Sequence, residues 1–232
     1  MGEYLPIVLG VVALVAVLYV ALALERKRRE ALQAVAQKLG LRFDAAGDRS
    51  LHHRYGHSLF RKGRSPKGTN NLSGVLTLAG YPVQVRMGDF QYVTGHGKNR
   101  RTHKTSYALF HLPFMSVPDL QIKREHLGHK VMGGIGFDDI DFESEEFSRT
   151  FWVKSGDKRF AYDVIHPGMM EFLLEGPTPQ VEIVQSVCLV QEGWKRWDPD
   201  TFEGAPGWFQ EFLERWPEHL VDRLEPREGL RP

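Results

Sequence analysis

Ten histidines make metal binding the first chemistry to consider for this sequence. His52, His53 and His57 form an HHxxxH cluster, and His126 and His129 form an HxxH pair. A metal site needs several such ligands that converge in space with a carboxylate or a thiolate. Loop-type residues around His57 argue against a helix that would align the first cluster, and neither HExxH nor CxxC occurs. Surface or half-buried histidines are therefore favoured over a metal site.

Residues 138–146 carry six carboxylates, which is the second possible source of chemistry. Closely spaced carboxylates can bind a hard cation or act as an acid and a base. The segment lacks the spacing of an EF-hand loop, so a solvated loop with one helix cap is favoured. A metal-dependent hydrolase that uses the clustered histidines and this acidic loop remains the alternative function.

Four cations lie within seven residues at Lys98, Arg100, Arg101 and Lys104, and a second basic run spans residues 61–67. A solvated hairpin tip is the simpler interpretation of the first group. Anionic lipid headgroups are the ligand that a nearby membrane anchor would favour, at about 1 kcal/mol per cation. No helix signal follows the glycines beside Lys98, which argues against a phosphate-binding loop of the Walker type.

The rest of the composition narrows the class of protein. Acidic and basic residues are equal in number once the charges flanking the apolar N-terminal segment are set aside, which argues against nucleic-acid binding. Cys188 is the single cysteine, so an intramolecular disulfide is excluded and a reducing compartment is indicated. It lies in an apolar run, as a buried small hydrophobic residue would. We expect no cofactor.

The element that would place the candidate groups relative to a membrane is the segment of residues 5–24, which contains twenty residues without a charge. As a helix they would be about 30 Å long, the thickness of the hydrocarbon core of a bilayer. Four cations follow at residues 26–29, which predicts a cytoplasmic domain after the span. A cleaved signal peptide is the alternative, but the basic n-region is missing and the apolar run is too long. A buried core helix of this length would rarely lack a charge.

Helical periodicity continues to Leu39, and Gly40 supplies a stop. The predicted division is a transmembrane anchor (residues 1–24), a juxtamembrane helix (25–40) and a soluble domain (41–232). Residues 44–71 have loop-type composition and are left without a prediction.

Alternating and apolar runs downstream predict an antiparallel meander. Its strands are expected at residues 72–78, 83–93 and 106–112, with a further strand at 120–123. The cations at residues 98–104 would then project from the turn of a hairpin. A second hairpin is predicted over residues 181–190.

Short helices are predicted after this meander, at residues 125–132, 144–147, 157–165 and 167–174. Residues 206–224 predict an amphipathic helix, which Pro217 should kink or split. Its apolar face includes Phe212, Leu213 and Trp216 and is expected to pack on the sheet.

Four segments in this order resemble a widespread bacterial family of membrane-anchored proteins that is known only as a domain of unknown function. They are NLSG at residues 71–74, RRTHK at 100–104, DFESEEFSR at 141–149 and HPGMMEFL at 166–173. The resemblance covers roughly residues 71–190. It implies an architecture and a bacterial setting, and it supplies no activity or catalytic residue.

The sequence thus predicts an α+β protein in which a single N-terminal transmembrane helix precedes an antiparallel-sheet domain with packed helices. The expected function is that of a membrane-tethered interaction or scaffold module in the bacterial cell membrane, with its C-terminal domain in the cytoplasm. The lipid bilayer is the expected partner, and another membrane protein is a further candidate. Oligomeric state, ligand and process are left open.

Overall fold

The computed structural model describes residues 5–124, 140, 142–176, 179–193 and 195–225. Its described helices are α1 Leu5–Lys38, α2 Leu51–Arg54, α3 Glu145–Thr150, α4 Lys158–Val164, α5 Pro167–Glu175, α6 Pro199–Glu214 and α7 Glu218–Arg223. Its described strands are β1 Arg42–Asp44, β2 Arg64–Leu78, β3 Tyr81–Thr94, β4 Arg101–His111, β5 Leu120–Arg124, β6 Phe151–Ser155, β7 Gln180–Val184 and β8 Val187–Gln191.

The eight strands form one sheet in the spatial order β1-β2-β3-β4-β8-β7-β5-β6, and all of their pairings are antiparallel. The predicted α+β class, with a long apolar helix ahead of an antiparallel sheet, is therefore confirmed. The two predicted hairpins belong to the same sheet, because β8 pairs with β4 and β7 pairs with β5.

The first helix confirms the prediction of a continuous rod of 34 residues. Its apolar part is long and apolar enough to cross a membrane, and every described side chain from residue 7 to residue 22 is exposed. The second part packs on the domain through Leu32, Val35 and Ala36, which share one face by their spacing. One helix therefore joins a fully exposed apolar segment to the domain core.

The C-terminus of α1 is held by Gly40, whose φ of +69° lies in the left-handed region. The backbone N–H of Leu41 donates to Ala36 O at 2.8 Å, and that of Gly40 donates to Gln37 O at 3.2 Å. This pair of bonds is a Schellman motif. It reverses the chain so that β1 can pair with β2.

The sheet is covered on both faces over its centre. One face packs against α1 and the helices α3 to α7, while Leu51, Leu59 and Phe60 cover part of the other. Residues 105–110 of β4 are consequently buried without interruption. A strand that is buried on both faces is expected to be apolar rather than alternating.

Strand β2 begins at Arg64 rather than at the predicted residue 72, and it includes loop-type residues for which no prediction was made. Ser65 and Asn70 have positive φ values of 53° and 52° and lie where the pairing register with β3 shifts. These are β-bulges, which use the same residue types as loops. The bulge at Asn70 also brings the backbone close to Gly88, where a Cβ would lie 3.0 Å from Thr69 O.

Several local predictions are confirmed. Ser144 caps α3 as expected, because its side chain accepts from the N–H of Phe147. The helix predicted over residues 157–165 is also present, and Asp157 proves to be its N-cap, because its side chain accepts from the N–H of Phe160. The C-terminal amphipathic segment is split at Pro217, as expected, although α6 begins earlier than predicted, at Pro199. The predicted helix at residues 125–132 lies outside the described residues.

Candidate functional site

The hairpin formed by β3 and β4 carries the predicted basic residues, but the strands extend further toward its tip than expected. The last pair is Thr94 with Arg101, so the turn comprises only residues 95–100. Lys98 and Arg100 lie in this turn and are exposed, and the exposed Arg101 begins β4. Three of the four predicted cations therefore meet at the hairpin tip.

Lys104, the fourth, lies on β4 opposite Gln91 rather than in the turn. Its ammonium group is 3.2 Å from a carboxylate oxygen of Glu25, the first charged residue after the apolar segment of α1. Lys104 therefore links the hairpin to α1. No local pattern in the sequence predicts this contact, because 79 residues separate its partners.

One cation of the second basic run joins the tip. Arg64 pairs with Val93 across β2 and β3, and its guanidinium donates to His96 Nδ1 at 3.0 Å and to the carbonyl of Gly95. We define the hairpin tip as Arg64, Lys98, Arg100 and Arg101.

Below the tip, Asp89 is the centre of a buried polar cluster. Its carboxylate accepts from Arg28 Nη2 at 2.6 Å and from Arg28 Nε at 2.7 Å. It also accepts from Asn70 Nδ2 at 2.9 Å and from Ser106 Oγ at 2.7 Å. The bulge at Asn70 is what directs that amide toward the carboxylate.

Two further contacts tie α1 to the segment after β8. Arg28 Nη1 donates to the backbone carbonyl of Trp197 at 2.9 Å, and the backbone N–H of Trp197 donates to Ser106 Oγ at 3.0 Å. Arg196 Nη1 lies 2.9 and 3.0 Å from the two carboxylate oxygens of Glu25. The base of the apolar segment is thus held by charge-assisted bonds, which are the stronger class of hydrogen bond.

These contacts set the direction of α1 relative to the hairpin. Leu41 touches Gly74, which pairs with Val85, whereas Glu25 touches Lys104, which pairs with Gln91. Helix α1 rises about 20 Å from Glu25 to its end at Lys38. A strand advances about 20 Å over residues 85–91. The two lengths are similar, so α1 and β3 run nearly antiparallel.

The hairpin tip therefore lies beyond the level of Glu25. Arg101 is three residues past Lys104 along β4, which corresponds to about 10 Å. The displacement is toward the apolar part of α1, because Lys104 already lies level with the end of that part. Neither predicted element alone indicates this placement.

The predicted histidine cluster is divided between different environments. His57 is fully buried, and its Nε2 donates to Val187 O at 2.9 Å. His52 and His53 lie on α2 with their rings 3.7 Å apart. Among the described residues, no three His, Cys, Asp or Glu side chains are placed to hold a metal ion. His126 and His129 lie outside the described residues.

The other candidate groups for chemistry are also placed. Cys188 is fully buried, and burial raises the pKa of its thiol. In the described part of the acidic segment, Glu145 and Glu146 occupy the first turn of α3, where the helix dipole favours negative charge. Asp138, Asp139 and Asp141 lie outside the described residues.

No family model matches this sequence, and no curated protein matches it, which fits the resemblance to a family without an assigned activity. Among solved structures, the chain is similar to the crystal structure of the mycobacterial trehalose monomycolate transport factor A. The sequence identity is 13%, the match covers 83% of this chain and 97% of that chain, and the TM-score is 0.53. At this identity the similarity shows a common fold.

Proposed function

We propose that this protein is a membrane-tethered module of the bacterial cell membrane that contacts anionic lipid through the hairpin tip. Residues 5–24 are the anchor, and the domain that follows is cytoplasmic. The module provides an interaction surface at the membrane rather than a catalytic centre. Another membrane protein is a further partner that this position would allow.

The contact between Glu25 and Lys104 is the observation that carries the proposal. Glu25 follows twenty uncharged residues and therefore lies at the edge of the hydrocarbon core. The headgroup layer extends about 5–7 Å beyond that core on each side. The hairpin tip lies about 10 Å from Glu25 toward the apolar segment, so it reaches the membrane before the rest of the domain does. Tilting of α1 away from the hairpin, and extension of the long Lys and Arg side chains toward the interface, then place the charges of the tip in the headgroup layer.

The charge of the tip suits this position. Arg64, Lys98, Arg100 and Arg101 lie together, and none of them forms an ion pair with a described residue. Each cation near an anionic leaflet contributes about 1 kcal/mol, and the attraction is screened by salt. Four cations would hold the hairpin against the membrane without a specific pocket.

Two further observations support the setting. Arg26, Lys27 and Arg29 follow the anchor and stay exposed, as the positive-inside rule expects for a cytoplasmic flank. The protein with the similar fold is a transport factor for trehalose monomycolate in mycobacteria, which agrees with a bacterial membrane protein concerned with lipids.

The test uses the full-length protein in nanodiscs. Deletion of residues 1–30 would remove Arg28 and leave the Asp89 carboxylate without this ion-pair partner. A nitroxide is attached at Asn99→Cys in a Cys188→Ala background, and its depth is measured in neutral discs and in discs with anionic lipid. We expect the label to lie deeper in anionic discs, and the difference to diminish in high salt.

The matched comparison is between two variants that each lose three positive charges, one at the hairpin tip and one elsewhere on the surface. The triple change of Lys98, Arg100 and Arg101 to Ala should abolish the difference between the two lipids. The same change at the exposed Arg42, Arg49 and Arg159 should preserve it. Equal depth in both lipids for the unaltered tip would refute the proposal, as would equal losses in the two triple variants.

A further inference from the structure

A polar cavity of about 190 Å³ lies between α1 and the sheet, at the junction with the apolar segment. Glu25 and Arg29 line it from the helix, and Asp89 and Lys104 line it from β3 and β4. Arg196 closes the side formed by the segment after β8. The cavity is separate from the hairpin tip, since none of the tip residues lines it.

The charges around this cavity do not balance. Asp89 is neutralised by Arg28 through two hydrogen bonds, and Glu25 is shared between Lys104 and Arg196. Arg29 forms no ion pair with any described residue, and Arg196 is also 4.0 Å from Asp89. Three lining cations therefore face two carboxylates, one of which is already neutralised by Arg28, and an excess positive charge is left in a partly enclosed space.

The position of the cavity suggests which anion it takes. Its lining begins at Glu25 and Arg29, one helical turn apart, directly after the apolar residues. Lipid phosphates lie at this depth, just outside the hydrocarbon core. Arginine guanidinium groups bind phosphate oxygens through paired, charge-assisted hydrogen bonds. The volume is suited to a phosphate group with its ester oxygens, whereas acyl chains would remain beside α1.

We propose that this cavity binds the phosphate group of one anionic membrane lipid, with Arg29, Lys104 and Arg196 as its cationic ligands. The carboxylate of Glu25 occupies Lys104 and Arg196 in the unliganded protein and competes with the phosphate for them. This inference rests on the proposed membrane anchoring by residues 5–24. It adds a discrete site of defined stoichiometry to the diffuse attraction of the hairpin tip.

The competition gives a test with opposite signs. Full-length protein in neutral detergent is titrated with a short-chain phosphatidylglycerol, and bound lipid is counted by native mass spectrometry. We expect one tightly held lipid. Arg29→Ala should weaken binding about tenfold, the size of one lost charge-assisted bond. Glu25→Gln should strengthen binding, because the internal competitor loses its charge while the helix is preserved.

Arg26→Ala is the matched control, because Arg26 is exposed on the same helix and pairs with Glu30 outside the cavity. It should leave the affinity unchanged. Weaker binding in Glu25→Gln, or equal losses in Arg26→Ala and Arg29→Ala, would overturn the site. Since Arg29 is exposed, its replacement should not unfold the domain.

Two further arms identify the source of the phosphate and separate this site from the tip. Inorganic phosphate should compete only far above the lipid concentration; competition at equal concentration would assign the cavity to a soluble phosphate instead and overturn the lipid assignment. The triple variant of Lys98, Arg100 and Arg101 should still bind one lipid. Loss of that lipid would overturn the separate site. If the lipid is retained but the depth of the nitroxide at residue 99 does not depend on the tip charges, only the hairpin proposal is refuted.

Discussion

Arg28 on α1 and Asp89 on β3 form a bidentate ion pair of 2.6 and 2.7 Å. Their side chains are only 15% and 6% exposed. Arg28 belongs to the basic run after the apolar segment, yet its charge is used inside the protein. The pair therefore fixes the domain to the helix, whereas Arg26, Lys27 and Arg29 of the same run are exposed.

Removal of Arg28 should unfold or strongly destabilise the domain. Arg28→Ala leaves the Asp89 carboxylate buried without its partner, for which we expect a loss of about 3–5 kcal/mol in the free energy of unfolding. The measurement is denaturant unfolding of the full-length protein in detergent. A loss below about 1 kcal/mol would mean that the pair is not buried in solution.

Two companion variants make this result specific. Arg26→Ala removes a surface pair with Glu30 and should cost less than about 0.5 kcal/mol. The double variant Arg28→Leu and Asp89→Asn should be more stable than Arg28→Ala, because the two changes together remove both charges of the buried pair. Equal stability of the single and double variants would contradict this account.

The partner of Asp89 could not be predicted from the sequence. Asp89 stands in an apolar strand, which is a visible signal of a buried polar role, but its partner is 61 residues away along the chain. The same limit applies to the sheet. Local alternation predicted β3, β7 and β8 correctly, whereas the pairing of β4 with β8 depends on contacts between distant segments.

Local chemistry was the reliable part of the prediction. The cap at Ser144, the stop at Gly40 and the split at Pro217 each follow from one or two neighbouring residues. The start of β2 was missed for the opposite reason, since a bulge at Ser65 has the composition of a loop. The hairpin tip was predicted as a run of cations, but its level along α1 could be known only from the contact of Lys104 with Glu25.

The stability of the domain should decrease as the pH falls from 7.5 to 5.5, with His57 as a contributor. Burial lowers the pKa of His57, against the opposing effects of the Val187 carbonyl and the charges of Glu182 and Asp119. The unfolded chain therefore binds a proton below about pH 6.5 that the folded protein does not bind. The free energy of unfolding then rises with pH, by up to about 1.4 kcal/mol per pH unit for one proton.

The comparison for this pH effect is His57→Gln, in which the amide can still donate to Val187 O. Its unfolding free energy should vary less with pH than that of the unaltered protein. His53→Gln, at an exposed position, controls for the loss of an imidazole. Measurements stay above pH 5 because the lowered pKa values of Asp48 and Asp163 affect stability only at lower pH. An identical slope in His57→Gln would contradict the assignment.

Trp216 should be a principal core residue of the C-terminal helices. It is 4% exposed and its ring contacts Phe114, Phe160 and Phe212. Trp216→Ala should cost about 3–5 kcal/mol in unfolding free energy. Trp216→Phe should cost much less, because it keeps an aromatic ring and the indole N–H has no partner among the described residues. Equal costs for Ala and Phe, or a cost for Ala below about 1 kcal/mol, would contradict this packing.

The domain should lie on the cytoplasmic side of the membrane, and the structure shows which charges to change in testing this. A cysteine at the exposed Asp222, in a Cys188→Ala background, should react with a membrane-impermeant maleimide only after bacterial cells are lysed. Changing Arg26, Lys27 and Arg29 to Gln should increase labelling of intact cells, because these cations favour retention inside. Arg28 is kept, because its loss would leave Asp89 without its ion-pair partner, and labelling could then rise through unfolding rather than through a change of topology. The same three-charge change at Arg42, Arg49 and Arg159 should leave labelling low. If the protein with its flanking cations unaltered is fully labelled in intact cells, the domain lies outside and the cytoplasmic assignment is refuted.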